Sequence, residues 1–122
     1  MIWFKPVDIT QASQGSKNTL LETLDIQITE IGDDFLKGTM PVDHRTVQPY
    51  GILHGGASVS LAESLGSVAA YLTVDPEIYV TVGQEVNANH IRPVTSGRVT
   101  GIAKPVHIGR TSQVWSIEIT NE

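Results

Sequence analysis

Apolar and polar residues alternate along several stretches of this chain, and the first of them covers residues 24–29. A period of two is typical of a strand with one buried face. The Gly-Asp-Asp sequence that begins at Gly32 predicts a turn. A second strand over residues 35–42, which leaves the sheet near Pro41, is therefore expected to pair with the first as a hairpin. Residues 2–24 have weaker periodicity and predict only an irregular or short helical lead-in.

The pattern changes to a helical period over residues 55–72. Apolar residues recur there at the spacing i, i+4, i+7 and i+11, which places them on one face of a helix. The helix is expected to begin at Gly55 or Gly56 and to end before Pro76, which cannot continue it. The other side carries Glu63 among small residues, which indicates that another backbone or a ligand approaches closely. The buried stripe consists of Leu61, Leu65, Val68 and Leu72.

Three further strands are predicted after the helix, over residues 78–91, 97–108 and 110–120. The last of them has the clearest alternation, with Trp115 and Ile117 on one face. Two strands, one long helix and three strands favour a single antiparallel sheet that the helix covers on one face. The sequence therefore predicts an α+β fold.

Length and composition exclude several classes of protein. The 122 residues are enough for one domain, residues 1–122, with a single core. The net charge of −5 argues against a nucleic-acid binder, and no apolar run reaches the roughly 18 residues of a membrane span. Because no signal-peptide core follows Met1, the expected location is the cytoplasm. The absence of cysteine excludes disulfides, thiolate nucleophiles and thiolate metal sites.

The most informative residue is Glu63, which is the only formal charge between residues 46 and 74. An unpaired carboxylate in an apolar setting costs on the order of several kcal/mol, so its presence indicates a chemical task. In a partly dry cleft it would act as a general base on water or as a direct nucleophile. Ser60 and Ser67 lie one turn away on either side, where a hydroxyl can bond the carboxylate or position a water. The alternative is a solvated glutamate, although a polar helix face usually carries several charges.

The sequence His54-Gly55-Gly56 predicts a helix start whose free N–H groups favour an oxygen that gains negative charge. A loop-to-helix turn that needs glycine for its backbone angles is the alternative. His54 is a donor to a substrate oxygen, a partner of the acid or, as is more usual for a lone histidine beside a helix start, a structural residue. The four histidines lack zinc-ligand spacing and no Gly-x-Ser-x-Gly elbow occurs, which argues against a metal site and a serine hydrolase.

A locally basic region follows the helix, because residues 87–117 contain no aspartate or glutamate. Its first part, residues 87–93, contains two asparagines, which are uncommon within strands. His90 and Arg92 are expected on the same face of that strand, where they would suit a phosphate. A kinked strand end with exposed polar groups is the alternative. The basic and histidine residues of the region are His90, Arg92, Arg98, Lys104, His107 and Arg110.

The motifs around these candidates resemble those of a known family, the bacterial hotdog-fold acyl-CoA thioesterases. The nearest subgroup is the 1,4-dihydroxy-2-naphthoyl-CoA and aryl-CoA (PaaI-like) thioesterases of the menaquinone and enterobactin pathways. The resemblance is carried by the sequences Met-Pro-Val-Asp-His-Arg-Thr from Met40, Gln-Pro-Tyr-Gly-Ile-Leu-His-Gly-Gly-Ala-Ser-Val-Ser-Leu-Ala-Glu-Ser-Leu-Gly-Ser from Gln48, Asn-Ala-Asn-His-Ile-Arg-Pro from Asn87 and Gln-Val-Trp from Gln113.

This resemblance implies a hotdog fold, in which an antiparallel sheet wraps around a long central helix. It also implies hydrolysis of an acyl-CoA without a cofactor, since coenzyme A is part of the substrate. The expected assembly is a homo-oligomer, a dimer or a dimer of dimers (homotetramer), with active sites between subunits. Family members continue for about one more strand after the counterpart of Glu122, so a missing last strand would leave a sheet edge exposed.

The resemblance further implies roles for single residues. Glu63 matches the catalytic carboxylate, as nucleophile or as base for water, and the Gly55 N–H and Gln48 match groups that polarise the thioester carbonyl. One carboxylate suffices because a thiolate, with a pKa of about 8.5, leaves readily. A non-catalytic acyl-CoA-binding module and a hydratase or dehydratase of the same fold are the alternatives. His54 and Ser67 match assisting positions, and Ser64, His90 and Arg92 match positions that bind the acyl-CoA.

Overall fold

Four antiparallel strands form one sheet in the computed structural model, which describes residues 1–122. Each strand pairs with the next in the chain, so the spatial order of the sheet is the order of the sequence. The predicted antiparallel sheet of an α+β fold is thereby confirmed. The strands are β1 Gln27–Ile31, β2 Leu36–Pro41, β3 Arg98–Ile108 and β4 Gln113–Thr120.

One long helix packs against this sheet, and two helices of one turn precede β1. The helices are α1 Ile9–Ala12, α2 Leu20–Thr23 and α3 Gly55–Leu72. The bounds of α3 confirm the prediction, and α3 contacts β2, β3 and β4. None of the three helices combines the length and the apolar character that crossing a membrane requires. In the predicted stripe of α3, Leu61 and Leu65 are buried, and Val68 and Leu72 are half-buried.

Leu65 lies at the centre of the core, where α3 meets the sheet. Gly38 of β2 and Gly101 of β3 face each other across the two strands. A Cβ atom at Gly38 would lie 2.6 Å from one methyl carbon of Leu65, and one at Gly101 would lie 2.8 Å from the other. The two glycines therefore form a notch that admits the Leu65 side chain, which is only 1% exposed. The side chains of Leu36, Met40, Leu61 and Val99 are fully buried in the same core.

A pair of stacked tryptophans ties the N-terminal segment to β4, and a backbone hydrogen bond ties it to the C-terminal end of α3. The rings of Trp3 and Trp115 are stacked, with centroids 6.4 Å apart and planes 7° apart. The Trp3 Nε1–H donates to the Gly32 carbonyl at 2.7 Å, and the Phe4 N–H donates to the Leu72 carbonyl at 2.9 Å. Residues from both ends of the chain therefore meet at one junction.

An arginine of β3 clamps the turn that precedes β1. Asp25 has a φ of 53°, a left-handed backbone conformation that does not occur within a regular β-strand. Strand β1 therefore begins at Gln27, and the predicted start at residue 24 is wrong. The Asp25 carboxylate accepts from Gln27 at 2.9 Å and from Arg98 Nη1 at 3.0 Å. Arg98 also donates to the Thr39 hydroxyl of β2. Arg98 is therefore engaged within the fold, which corrects its place in the predicted basic region.

We expect the replacement Asp25→Asn to lower the free energy of unfolding at pH 7 by about 1 kcal/mol. Hydrogen bonds from Gln27 and Arg98 lower the pKa of the Asp25 carboxyl below its ordinary value of 3.8. A lowered pKa in the folded state stabilises the fold above pH 3.8, and this contribution disappears as the pH falls through the folded-state value. Urea unfolding at pH 7 and pH 3 should show the difference from wild type shrinking in acid. The control Asp34→Asn, which removes an exposed acid without side-chain bonds, should change neither midpoint; an equal loss at both pH values would contradict the clamp.

The strand predicted over residues 78–91 is wrong. Residues 80–93, called here the 80–93 segment, make no backbone hydrogen bonds and have no regular secondary structure. A strand exists only through hydrogen bonds to a neighbouring strand, and β-branched residues alone do not supply the neighbour. Val80, Val82 and Ile91 are accordingly more than 80% exposed. The outer edge of β4 also has no strand beside it.

Candidate active site

Helix α3 begins with an N–H group that has no hydrogen-bond partner. His54 is the N-cap residue, and its Nδ1 accepts the N–H of Gly56 at 2.7 Å. The carbonyl of His54 accepts the next two N–H groups of the helix. The N–H of Gly55, by contrast, donates to no atom of the chain. The structure thus distinguishes the two glycines, because only the Gly55 N–H is open to a ligand oxygen.

The cap also fixes what the His54 imidazole can do. Because Nδ1 accepts the Gly56 N–H, a neutral imidazole must carry its proton on Nε2. The free side of His54 is therefore a hydrogen-bond donor. A donor at this position, beside the open Gly55 N–H, suits an oxygen that gains negative charge.

A short hairpin of residues 47–53 holds Gln48 near the helix start. Val47 and Leu53 form an isolated antiparallel bridge that closes the hairpin. The Gln48 Oε1 accepts the N–H of Tyr50, so the side-chain NH₂ remains available as a donor. Like the helix start, the hairpin therefore presents an N–H donor.

A buried threonine fixes this hairpin to the sheet. The Thr46 hydroxyl donates to the Pro41 carbonyl at 2.7 Å, and the Thr46 carbonyl accepts the His54 N–H at 2.8 Å. The preceding turn is held by Arg45, which donates to both oxygens of Asp43. These bonds lower the pKa of the Asp43 carboxyl to about 2, so it stays ionised. The sequence indicated this turn only through the family resemblance, and the hydrogen bond by which Thr46 supports His54 could not be predicted from it.

Glu63 lies exposed on α3, and its carboxylate makes no hydrogen bond or ion pair in the chain. The expected partly dry cleft is therefore wrong for the single chain, because too little of the same chain covers this side of α3. The Ser60 hydroxyl donates to the Gly56 carbonyl at 2.9 Å and not to the carboxylate. Ser67 is exposed and Ser64 is half-buried, and neither hydroxyl bonds Glu63.

Two glycines mark the places where the 80–93 segment touches α3. A Cβ atom at Gly83 would lie 2.7 Å from Oε1 of Glu63, and a Cβ atom at Gly55 would lie 2.9 Å from Nε2 of His90. The structure therefore brings His90 to the helix start. It also brings Gly83, which the sequence analysis missed, to the carboxylate. A single glycine inside a predicted strand often marks a close backbone approach, so the signal was present.

The other candidates stand apart from these contacts. Arg92 is exposed and has no hydrogen-bond or ion-pair partner in the chain, and Lys104 and Arg110 are exposed as well. No group of three or more histidine, aspartate or glutamate side chains lies close enough to hold a metal ion. The exposed cations are therefore open to an anionic ligand.

Gly55 and Glu63 lie far apart along the axis of α3. Eight residues of helix separate them, which corresponds to about 12 Å along the axis. A bound carbonyl oxygen lies about 3 Å from its donor, and attack on its carbon requires a separation of about 3–3.5 Å. The two groups also contact different points of the 80–93 segment, His90 and Gly83 respectively. The two candidate groups therefore lie at separate places on α3.

Comparison with known proteins defines the class. The model of the Thioesterase superfamily matches residues 50–122. The 1,4-dihydroxy-2-naphthoyl-CoA hydrolase of Escherichia coli K12 is 52% identical over 122 residues, which are 100% of this chain and 89% of that protein.

Solved structures share the fold. A mutant of thioesterase PA1618 from Pseudomonas aeruginosa matches with a TM-score of 0.98 and 48% identity, over 100% of this chain and 88% of the other. The Staphylococcus aureus protein SAV0944, solved as a glutamate-to-alanine mutant, matches with a TM-score of 0.82 and 39% identity, over 85% of this chain and 86% of the other.

An antiparallel sheet packed on one long central helix, with these structural matches, is the architecture of the hotdog thioesterases. The chain belongs to the thioesterase superfamily, and it is an enzyme that hydrolyses thioesters.

Proposed function

We propose that this thioesterase hydrolyses an acyl-CoA, with Glu63 as the carboxylate that attacks the carbonyl carbon or activates water. The observation that carries the proposal is the state of the Glu63 side chain. It is the only acid of α3 and has no hydrogen-bond or ion-pair partner in the chain. What sets it apart from other unpaired acids, such as Glu77, is its place within α3 among small and apolar residues.

The helix start would hold the thioester oxygen. In the proposed complex the Gly55 N–H donates to the carbonyl oxygen, and the NH₂ of Gln48 and the Nε2–H of His54 assist. Such donors stabilise the negative charge that develops on the oxygen as the new C–O bond forms. The C–S bond then breaks and its electron pair leaves with sulfur as a thiolate, which requires no strong acid.

Two routes are consistent with these groups. In the first, Glu63 takes a proton from the attacking water and the proton then passes to the departing thiolate. In the second, Glu63 itself attacks the carbon, and water hydrolyses the resulting anhydride. Both routes require the same unpaired carboxylate.

Relatives support the same pair of residues. SAV0944 has been solved as a glutamine-to-alanine mutant and as a glutamate-to-alanine mutant, and the two altered positions are 15 residues apart. Gln48 and Glu63 have the same separation in this chain. Both residues of a functional pair are natural targets for substitution by alanine, and a glutamine and a glutamate were substituted in SAV0944.

The proposed acyl group is aromatic, such as 1,4-dihydroxy-2-naphthoyl, with a medium-chain acyl group as the alternative. The E. coli relative supports the aromatic group by its name, and it matches the whole of this chain. The proposal assigns the CoA part to His90, which lies beside the helix start, and to Arg92, which is free to meet a phosphate. Ser64 and Ser67 would assist on the Glu63 side of the helix.

The active site is proposed to form between two copies of the chain. Eight residues of α3, about 12 Å of helix axis, separate Gly55 from Glu63, and this separation supports a site whose two ends come from different chains. In a twofold dimer each surface meets its own copy, so antiparallel α3 helices would place Gly55 of one subunit opposite Glu63 of the other. The partner would also cover the Glu63 side of α3, which the single chain leaves exposed.

We expect two inactive variants to restore activity when they share a dimer. One variant carries Glu63→Gln, and the other carries Gln48→Ala with His54→Ala. In a mixed dimer one site contains every defect and the other contains none, so the dimer should have about half of the wild-type activity. Co-expression with two different affinity tags isolates the mixed dimer for the assay. If its activity equals only the mean of the two inactive parents, both halves of each site belong to one chain.

Release of free thiol from a panel of aryl-CoA and acyl-CoA substrates tests the function as a whole. Turnover that is fastest with an aromatic acyl group supports the proposal. Tight binding without thiol release would instead favour an acyl-CoA-binding module. Loss of the ultraviolet absorbance of an enoyl-CoA, without thiol release, would favour a hydratase. Either result would overturn the proposed hydrolysis.

A further inference from the structure

The Glu63 carboxylate lies beside the 80–93 segment at Gly83. An ideal Cβ atom at Gly83 would lie 2.7 Å from Oε1, 3.4 Å from Cδ and 3.8 Å from Cγ of Glu63. Separations below about 3 Å are inside van der Waals contact, so no side chain larger than hydrogen fits without moving the carboxylate. The end of Glu63 therefore occupies the space that a Gly83 side chain would need.

The backbone conformation of Gly83 does not explain the glycine. The positive φ angles among the glycines occur only at Gly51 and Gly97, so alanine could adopt the backbone of residue 83. Gly83 is also exposed, with no core packing to preserve. What the missing side chain provides is room for the Glu63 carboxylate.

No polar contact within the chain fixes this carboxylate. Glu63 has no hydrogen bond and no ion pair, and the nearby serine hydroxyls bond elsewhere or not at all. A second contact holds the same segment to α3, because His90 fills the space beside Gly55. The backbone at Gly83 therefore limits where the carboxylate can lie. The segment that carries Gly83 also meets α3 near the N-terminal end of the helix, through His90.

We propose that Gly83 is a positioning residue that sets where the Glu63 carboxylate stands, an inference that rests on the proposed catalytic role of Glu63. A methyl group at this position would push the flexible end of Glu63 away and leave the fold intact. A displacement of about 1 Å in a reacting group can cost about 100-fold in rate. The effect belongs to the chemical step, since Gly83 itself touches no donor of the oxyanion site.

The variant Gly83→Ala is expected to lower kcat by about 10- to 100-fold, with KM within about threefold of wild type. Its urea midpoint should match that of wild type, because only the mobile end of one exposed side chain must shift. The matched control is Gly15→Ala, another exposed glycine, where a Cβ atom would meet nothing within 4 Å. The control should leave kcat, KM and the urea midpoint unchanged.

A double-mutant cycle separates positioning from a merely structural role. Glu63→Asp shortens the side chain by one methylene, so its carboxylate no longer reaches the space beside Gly83. In the Glu63→Asp background, Gly83→Ala should therefore change the residual kcat by less than about threefold. An equal loss of kcat in both backgrounds, or a loss of folded protein, would overturn the positioning role.

The Glu63→Gln variant separates a failure of the positioning role of Gly83 from a failure of the proposed catalytic role of Glu63. If Glu63→Gln is inactive and Gly83→Ala retains the wild-type kcat, the inference about Gly83 fails and the proposed function stands. If Glu63→Gln retains full activity, the proposed function fails and the role of Gly83 fails with it.

Discussion

Glu63→Gln is expected to lower kcat/KM for acyl-CoA hydrolysis by about 10³-fold or more, with the protein still folded. The amide retains the shape of the carboxylate but can neither take a proton from water nor attack the thioester, and a positioned base contributes about 10²–10⁴-fold. Because Glu63 is exposed and unpaired in the chain, stability should change by less than about 0.5 kcal/mol. Thiol release at substrate concentrations well below KM and a urea titration measure the two quantities.

Glu77→Gln is the matched control, since Glu77 is an exposed glutamate just beyond α3 with no side-chain bond. It should have wild-type activity. Full activity of Glu63→Gln would remove Glu63 from the mechanism. A loss of activity accompanied by an equal loss in the control would show that the assay responds to net charge.

A single turnover in H₂¹⁸O decides between the two routes of the wild-type enzyme. If Glu63 activates water, the first acid released carries ¹⁸O. If Glu63 attacks the carbon and water then opens the anhydride at the Glu63 carbonyl, the first acid carries oxygen from the carboxylate, and label found in Glu63 identifies this route.

Leu65→Ala should have the largest effect on stability, a loss of about 3 kcal/mol in the free energy of unfolding. Leu65 is almost fully buried and fills the notch between Gly38 and Gly101, so the truncation leaves a cavity at the centre of the core. For a domain of this size we expect the midpoint of thermal unfolding to fall by about 10 °C. Val68→Ala, on the half-buried part of the same helix, is the control and should cost clearly less.

The two sides of the notch should respond differently to alanine. Gly101→Ala and Gly38→Ala should each destabilise by about 1–3 kcal/mol, because each methyl group would collide with Leu65. Leu65→Ala should partly relieve the cost of Gly101→Ala, whose closest neighbour is the end of the leucine side chain. It should relieve Gly38→Ala less, because that methyl group would still lie 2.8 Å from the backbone carbonyl of Gln27. Additive costs in both double variants would show that Leu65 does not occupy the notch.

Helix α3 could be predicted almost to the residue because its signals are local. The apolar stripe, the paired glycines at its start and Pro76 beyond its end all act within a few turns of chain. The positions of β2, β3 and β4 were also within three residues of the prediction, since each has a clear alternation or a boundary residue. The notch at Leu65 was missed because the pairing of Gly38 with Gly101 depends on strand register, which no local pattern reports.

The errors at the site have a common physical cause. Val80 and Val82 have the composition of a strand, yet strand formation requires a neighbour that the local sequence does not contain. Glu63 has the setting of a buried acid, but the single chain leaves it exposed. In both cases the sequence has the composition of a covered surface, and the single chain leaves that surface exposed. The proposed second subunit is one such cover, and the mixed-dimer experiment tests it.

The stacked pair of Trp3 and Trp115 determines what intrinsic fluorescence can report, because these are the only tryptophans in the chain. Both indoles lie at the junction of the N-terminal segment, β4 and the C-terminal end of α3. Their emission should follow detachment of the N-terminal segment and global melting. A Cβ atom at Gly66 would lie 4.0 Å from Cβ of Trp115, so this tryptophan also lies within one turn of Glu63 on α3. Its emission should therefore change when an acyl-CoA binds on the Glu63 side of the helix, without a chromophore placed in the ligand.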